Sequence, residues 1–324
     1  MRGGRRSPDG DHRATTDRRN LRPETPARYR AEETAAMIES AARIRTIGPV
    51  LLFGGPYGNL EATEALLAAA ARRGIAPDHI VCTGDLTAYC ADPEAVVDRI
   101  RAAGLHVVMG NCEESLAAAA DDCGCGFAED STCAALSAAW YAYTDRRLDG
   151  ATRDWFATLP RALAVTVGGA MLRVVHGGVD RINRFVFASD TAAIAAALAA
   201  VPEDGVIAGH CGLPFTRVAG GRLWHNPGVI GLPANDGTPR VWYSVLTPIA
   251  GGLRIEPSPL GYDHARAAAR MRDARLSAGY ADALETGRWP SFDVLPAAER
   301  ARAGIALAPR ALAWRPAATR AGAA

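Results

Sequence analysis

The stretch Ile80-Val-Cys-Thr-Gly-Asp-Leu86 constrains this chain more than any other. A short apolar run halts at Gly84 and delivers one carboxylate, Asp85, with helical patterns on both sides. Such a run is a buried strand of an α/β sheet. Its last polar residue falls in the crevice outside the strand's carboxyl end, where sites tend to form. Asp85 is therefore the first candidate metal ligand. An Asp that only caps a helix or turns the chain has the same local pattern.

The same grammar runs through the first half. An apolar strand over 49–53 closes on Gly54-Gly55-Pro56, and Asn59 caps a helix over 60–73 that Gly74 stops. A strand over 80–83, a helix over 93–103 and a strand over 106–109 follow, the last ending at Gly110-Asn111. Strand–helix alternation with short connections predicts parallel βαβ units. Residues 114–160 read as mainly helical. Beyond Pro160 the pattern turns to hairpins across Gly168-Gly169 and Gly220-Gly221, with a helix over 191–200 and strands over 205–208, 240–246 and 252–255.

The expected architecture is an α/β, two-sheet αββα sandwich over 46–256. A helical C-terminal extension over 257–308 would dock on it or pair subunits of a homo-oligomer, and a flexible tail would follow over 309–324. Residues 1–45 show no apolar periodicity before Met37 and lack a signal-like apolar segment. They read as a disordered tail, or as an over-extended start upstream of Met37.

Composition narrows the function classes. Apolar residues make up 49% of the chain and the net charge is +1. No uncharged apolar run is long enough to span a bilayer. Every basic residue is Arg, and 35 acidic residues balance them, so no polyanion-binding field is expected and neither nucleic acid nor membrane is an expected partner. Seven cysteines, an odd number, argue against a disulfide framework and for reduced thiols in a cytoplasmic protein. Cys123 and Cys125, with Cys133, read as a free-thiol loop that borders the cleft, and Cys82 as core. Trp140, Trp155 and Trp224 read as packing residues, and His225 as structural.

Four groups recur at the C-terminal ends of expected strands, each flanked by Gly: Thr83-Gly-Asp85, Met109-Gly-Asn111, Val175-His-Gly-Gly178 and Ala208-Gly-His210. A single strand-end His is more often a hydrogen-bonded structural residue. Four such groups at equivalent strand ends can converge on one point. Oxygen donors combined with imidazoles suit zinc, iron or manganese.

The order Gly-Asp, Gly-Asn, His-Gly, Gly-His resembles the calcineurin-like metallophosphoesterases, in particular their small bacterial and archaeal phosphodiesterase branch. Gly58-Asn-Leu-Glu-Ala62, Tyr89, Asp92-Pro93 and Asn226-Pro-Gly228 support the resemblance, which covers roughly 48–250. It implies a two-sheet sandwich, hydrolysis of phosphomonoesters or phosphodiesters, and a small phosphorylated molecule or nucleotide as substrate. Members usually hold two metals. This chain has Gly55 and Tyr57 where the family's opening Asp-x-His pair would stand, and Gly212 where the closing motif has its second His. Those losses all fall on the first metal. The second-metal set, Asp85, Asn111, His176 and His210, is intact. The resemblance therefore implies one divalent transition metal, and no second ion is expected.

Cys112, followed by Glu113, stands where the family has its proton-donating His, and these two are the candidate catalytic residues. Cys211 lies inside the closing motif and Cys90 in the loop after Asp85, so thiols are candidate extra ligands. Arg181 and Arg184 are candidates to clamp a phosphate, and Tyr57 to fill the vacated space or hydrogen-bond a substrate. The competing expectation is a non-hydrolytic sensor of metal, thiol or nucleotide on the same fold. The C-terminal extension is assigned no chemistry.

Overall fold

A computed structural model describes residues 43–128 and 130–317; the expectations for 1–42, including a start at Met37, lie outside the described residues. The chain opens with β1 (Arg43–Thr46), β2 (Val50–Phe53), α1 (Leu60–Arg72), β3 (Ile80–Cys82), α2 (Pro93–Ala103) and β4 (His106–Val107). Asn59 caps α1 as its residue type predicts, Oδ1 accepting from the Ala62 amide at 3.1 Å. Three helices follow: α3 (Asn111–Ala117), α4 (Thr132–Asp145) and α5 (Gly150–Ala157). Next come β5 (Ala162–Val167), β6 (Ala170–Val175), α6 (Thr191–Ala199), β7 (Gly205–Ile207), β8 (Phe215–Ala219) and β9 (Arg222–Asn226). The long hairpin β10 (Val241–Ile249) and β11 (Gly252–Leu260) completes the strand-rich half. Helices α7 (His264–Asp273), α8 (Ala278–Thr286) and α9 (Ala297–Arg300) precede β12 (Leu312–Trp314).

The strands form two six-stranded sheets, ordered β1-β5-β6-β7-β9-β8 and β12-β11-β10-β2-β3-β4. Their inner faces pack Val50, Leu52 and Val81 against Leu163, Val165, Leu172, Val174 and Ile207. The alternate residues of the same strands, Leu51, Phe53, Ile80 and Cys82, face the helical layer built around Leu66, Val96, Ile100 and Leu116. A strand buried on both faces carries no polar alternation, which is why these stretches read as continuous apolar runs. On the opposite sheet α6 packs Ile194 and Leu198 against Val206 and Trp224. The αββα sandwich is thus the observed fold.

Two boundaries differ from expectation. β1 begins at Arg43, inside the stretch read as tail, and pairs in parallel with β5, Arg43 opposite Ala164. The stretch read as a flexible tail holds β12, which pairs antiparallel with β11. Trp314 anchors it, 4% exposed, with Nε1 donating to the Gly221 carbonyl at 3.0 Å. One large apolar ring supplies burial that the surrounding Pro and Ala do not signal.

Register places the chemistry. Phe53, Cys82 and Val107 are neighbours across the parallel strands β2, β3 and β4, so Gly54, Thr83-Gly84-Asp85 and Gly110-Asn111 emerge side by side. In the other sheet Val174 and Ile207 are paired, and Ile207 with His225, so His176, Gly209-His210 and Asn226 emerge at the same end.

Candidate metal centre

Four side chains from these strand ends meet around one point. His176 Nε2 stands 3.0 Å from Asn111 Oδ1, 3.0 Å from His210 Nδ1 and 3.2 Å from Asp85 Oδ2. The ligating atoms of Asp85, His176 and His210 all lie within 4.8 Å of one another, and all three residues are buried. The expected quartet is therefore brought together.

Local backbone explains how. Asp85 and His210 both hold φ of 59°, a left-handed conformation uncommon for residues with a Cβ. Gly84 precedes Asp85 at φ 98°, and a Cβ on it would sit 2.7 Å from the Gly110 nitrogen and the Val108 carbonyl. The crossing of the β3 and β4 ends thus requires glycine there. Gly209 is required for the approach between sheets, because a Cβ would meet Thr83 Oγ1. Strained residues of this kind persist where their surroundings over-determine them.

The surroundings include Glu113. Fully buried, its carboxylate accepts from the backbone N–H groups of Asp85 and Leu86, each at 2.8 Å, and of Gly110 at 2.9 Å. Burial and the nearby Asp85 charge push its pKa up to about 7, against the pull of those donors. Glu113 was expected beside Cys112 as a catalytic residue. Both of its oxygens are committed to holding the Asp85 turn, so it is a positioning residue.

The donor set also fits a cation. His176 Nδ1 donates to the Thr83 carbonyl at 2.7 Å, which leaves the Nε2 lone pair facing the cluster in the neutral ring. Asn111 Nδ2 donates to the Cys123 carbonyl at 2.8 Å, which turns Oδ1 inward. Four acceptors at about 3 Å repel unless a proton or a metal ion lies among them. Electrostatics agree. Burial alone would raise the Asp85 pKa, but the His176 charge and hydrogen bond hold it below the usual range. Burial would lower that of His176, yet Asp85 raises it. Burial, then the His176 charge, lowers that of His210 to about 3, so this ring is neutral.

Aromatic rings crowd Gly55 and Gly212, two of the positions where the resemblance led to an expectation of further ligands. A Cβ on Gly55 would run into the ring of Tyr57, so the phenol occupies the space through which an Asp side chain would extend. A Cβ on Gly212 would lie 3.2 Å from Cζ2 of Trp289. Tyr57 is buried, and burial followed by the Asp85 charge raises its pKa well above normal, so it keeps its proton. Tyr57, Gly212 and Trp289 join Asp85, Tyr89, Phe127, Phe185, His210 and Tyr280 around one cavity. The C-terminal extension thus lines the site through Tyr280 and Trp289, a contribution that sequence patterns missed. The extension was expected only to dock on the sandwich or to pair subunits.

Other expected participants stand apart. The Cys90 thiol, expected as an extra ligand, donates to the Gly231 carbonyl at 3.6 Å, and Tyr89 rather than Cys90 faces the cavity. Cys112 sits under Asp85, its amide donating to Oδ1 at 3.2 Å, and burial with the Asp85 and Glu113 charges keeps its thiol protonated. Cys211 borders the cavity, but its sulfur accepts from Asn226 Nδ2 at 3.2 Å and burial pushes its pKa up to about 12. Arg184 pairs through both nitrogens with Asp180, and neither it nor Arg181 lines the cavity. A salt bridge four residues away in sequence satisfies Arg184 on the exposed side of the loop. Cys123 and Cys125 form a disulfide in place of the expected free thiols. His225 is structural, bonded through Nδ1 to Thr216 Oγ1 at 2.9 Å.

Comparison with known proteins accords with this geometry. Residues 58–247 match the model of the calcineurin-like phosphoesterase superfamily domain. A metallophosphoesterase from Sphaerobacter thermophilus is 23% identical, with a TM-score of 0.59 over 75% of this chain and 100% of its own. Hypothetical protein PH1004 from Pyrococcus horikoshii OT3 is 18% identical, with a TM-score of 0.63 over 74% of this chain and 99% of its own. No curated protein matches in sequence. With a family model that spans more than half the chain and a sandwich whose strand ends meet as described, this protein belongs to the calcineurin-like phosphoesterase superfamily.

Proposed function

We propose that the chain is a metal-dependent phosphoesterase that works with a single divalent ion held by Asp85, Asn111, His176 and His210. The convergence of Asp85 Oδ2, Asn111 Oδ1, His176 Nε2 and His210 Nδ1 carries this reading. Mixed oxygen and imidazole donors suit zinc, manganese or iron. A bound ion of this kind supplies Lewis acidity, acidifying water from a pKa of ~15.7 towards ~7 and polarising a phosphoryl oxygen.

The chain's own residues provide the rest. Among the described residues Asp85 supplies the one carboxylate on the cavity wall, and Glu113 holds it from behind. Thr83 fixes the His176 tautomer. Tyr57 keeps its phenolic proton, and its hydroxyl has no hydrogen-bond partner among the described residues, so it is free to donate to a substrate oxygen in the space that the Asp-x-His pair would otherwise occupy. That donor replaces Cys112, whose thiol lies behind Asp85.

A specific observation favours a second reading, binding without turnover: two rings crowd Gly55 and Gly212, and no Arg lines the cavity. The two readings part in one experiment. Metal analysis gives one equivalent in wild type and none in Asp85→Asn or His176→Ala. Hydrolysis of a chromogenic phosphodiester with added manganese or zinc is lost in the same variants. Two equivalents, or full activity in either variant, refutes the single-metal phosphoesterase; one equivalent with no turnover leaves binding alone.

A further inference from the structure

We propose that the C-terminal extension completes the site, with Tyr280, Trp289, Tyr89, Phe127 and Phe185 forming a neutral aromatic subsite for the apolar group of a monoanionic ligand. The inference rests on the single-metal reading above and names the class of ligand that such a centre admits.

Charge comes first. Among the described residues that line the cavity, Asp85 is the one carboxylate, set in a wall of mainly aromatic and aliphatic side chains. The two arginines of the neighbouring loop do not reach the cavity. A divalent ion with Asp85 leaves one net positive charge, enough to offset one negative charge on a ligand. A second or third charge, as on a phosphomonoester or a nucleotide, would be desolvated here without a partner, which is strongly unfavourable.

Shape comes next. Tyr57 and Tyr89 meet edge to face with centroids 4.8 Å apart, and Tyr89 and Tyr280 lie 4.5 Å apart. On the other side Phe185 stacks with Phe127 at 6.1 Å and lies 4.2 Å from the His210 ring, so the aromatic wall runs directly to a candidate ligand. Trp289 is held in place by its amide, which donates to Asn235 Oδ1 at 2.9 Å, and by Nε1, which donates to the Pro233 carbonyl at 2.7 Å. The space open to the centres of water-sized molecules is about 60 Å³. At roughly 10–15 Å³ per water this is room for about four to six waters, the bulk of one small ring, so a second ring on the same ligand would lie at the open mouth of the cavity. Fixed rings lose little entropy on binding a flat group, and offset or edge contacts add to the apolar transfer.

The test uses the full chain loaded with one equivalent of zinc at pH 8, with tryptophan fluorescence and calorimetry as binding readouts. Diphenyl phosphate, singly charged with rings, is expected to bind at least ~10-fold more tightly than dimethyl phosphate or AMP, a difference of about 1.4 kcal/mol. Trp289→Ala and Tyr280→Ala should each remove most of that preference while the metal stoichiometry stays at one. Trp289→Phe, which keeps a ring over Gly212, should retain it within about threefold. AMP bound or cleaved as well as diphenyl phosphate, or an unchanged preference in both alanine variants, overturns the subsite and leaves hydrolysis standing. Diphenyl phosphate bound but never cleaved refutes hydrolysis and leaves the subsite standing.

Discussion

Replacing Glu113 by alanine strands three buried backbone donors at once: the amides of Asp85, Leu86 and Gly110, at 2.8, 2.8 and 2.9 Å from its carboxylate. The residue is 0% exposed, so bulk water cannot take over. Leaving one such donor unsatisfied costs roughly 1–3 kcal/mol. Glu113→Ala should therefore lower unfolding stability by about 3–6 kcal/mol, the upper part of the range being softened by any water that enters the gap. Glu113→Gln separates the hydrogen bonds from the packing. Oε2 serves two donors, Asp85 and Gly110, and Oε1 serves one, Leu86. The least costly amide orientation turns its nitrogen towards Leu86 and strands a single donor, for a loss of about 1–3 kcal/mol. Urea unfolding of the metal-free protein at fixed pH, followed by tryptophan fluorescence and by circular dichroism, measures both. The expected order is wild type, then Gln, then Ala, with unchanged m-values. A loss below about 1 kcal/mol in the alanine variant would refute the argument that Glu113 holds the left-handed Asp85 turn.

Three further outcomes follow from the same structure. His225 is fully buried with its pKa lowered to about 3, mainly by burial, so the unfolded chain binds its proton first. Its stabilisation is present above the unfolded pKa of ~6.5 and is lost as pH falls towards 3, about 2 kcal/mol by pH 5. His225→Gln should flatten the urea-derived stability profile by that amount over this interval, and an unchanged slope would contradict it. Thiol titration in denaturant without reductant should count the five free cysteines and reach seven only after reduction; seven at the outset would exclude the Cys123–Cys125 bond. Trp314→Ala should cost about 3–5 kcal/mol and release β12, seen as faster amide exchange along the β11 edge; a neutral substitution would return that segment to the status of a tail.

The centre and the fold were unequally legible in the sequence. Strands β2 and β3 are buried on both faces and end at glycine, so periodicity placed them within a residue or two, and the hairpins across Gly168-Gly169 and Gly220-Gly221 announced their turns. The thiols misled. Cys90 and Cys112 lie one residue from Tyr89, which lines the cavity, and from Asn111, which meets His176, and which neighbour points there depends on backbone angles, Tyr89 at φ 45° among them, that residue order does not express. The arginines misled for a similar reason, because a nearby Asp180 competes for Arg184 before any substrate can.

What the sequence determined by itself was the polar residue at four strand ends, Asp85, Asn111, His176 and His210. These are local facts: an apolar run, a glycine and a polar residue at its end. Only the tertiary structure decided what surrounds Gly55 and Gly212, where the resemblance led to an expectation of ligands. Tyr57 folds back over Gly55 from two residues away, whereas Trp289 arrives over Gly212 from 77 positions further along the chain. Helical spacing tells which residues of an extension seek burial. The surface they find is set by how the extension packs on the sandwich, and here that packing carries aromatic rings to the candidate metal centre.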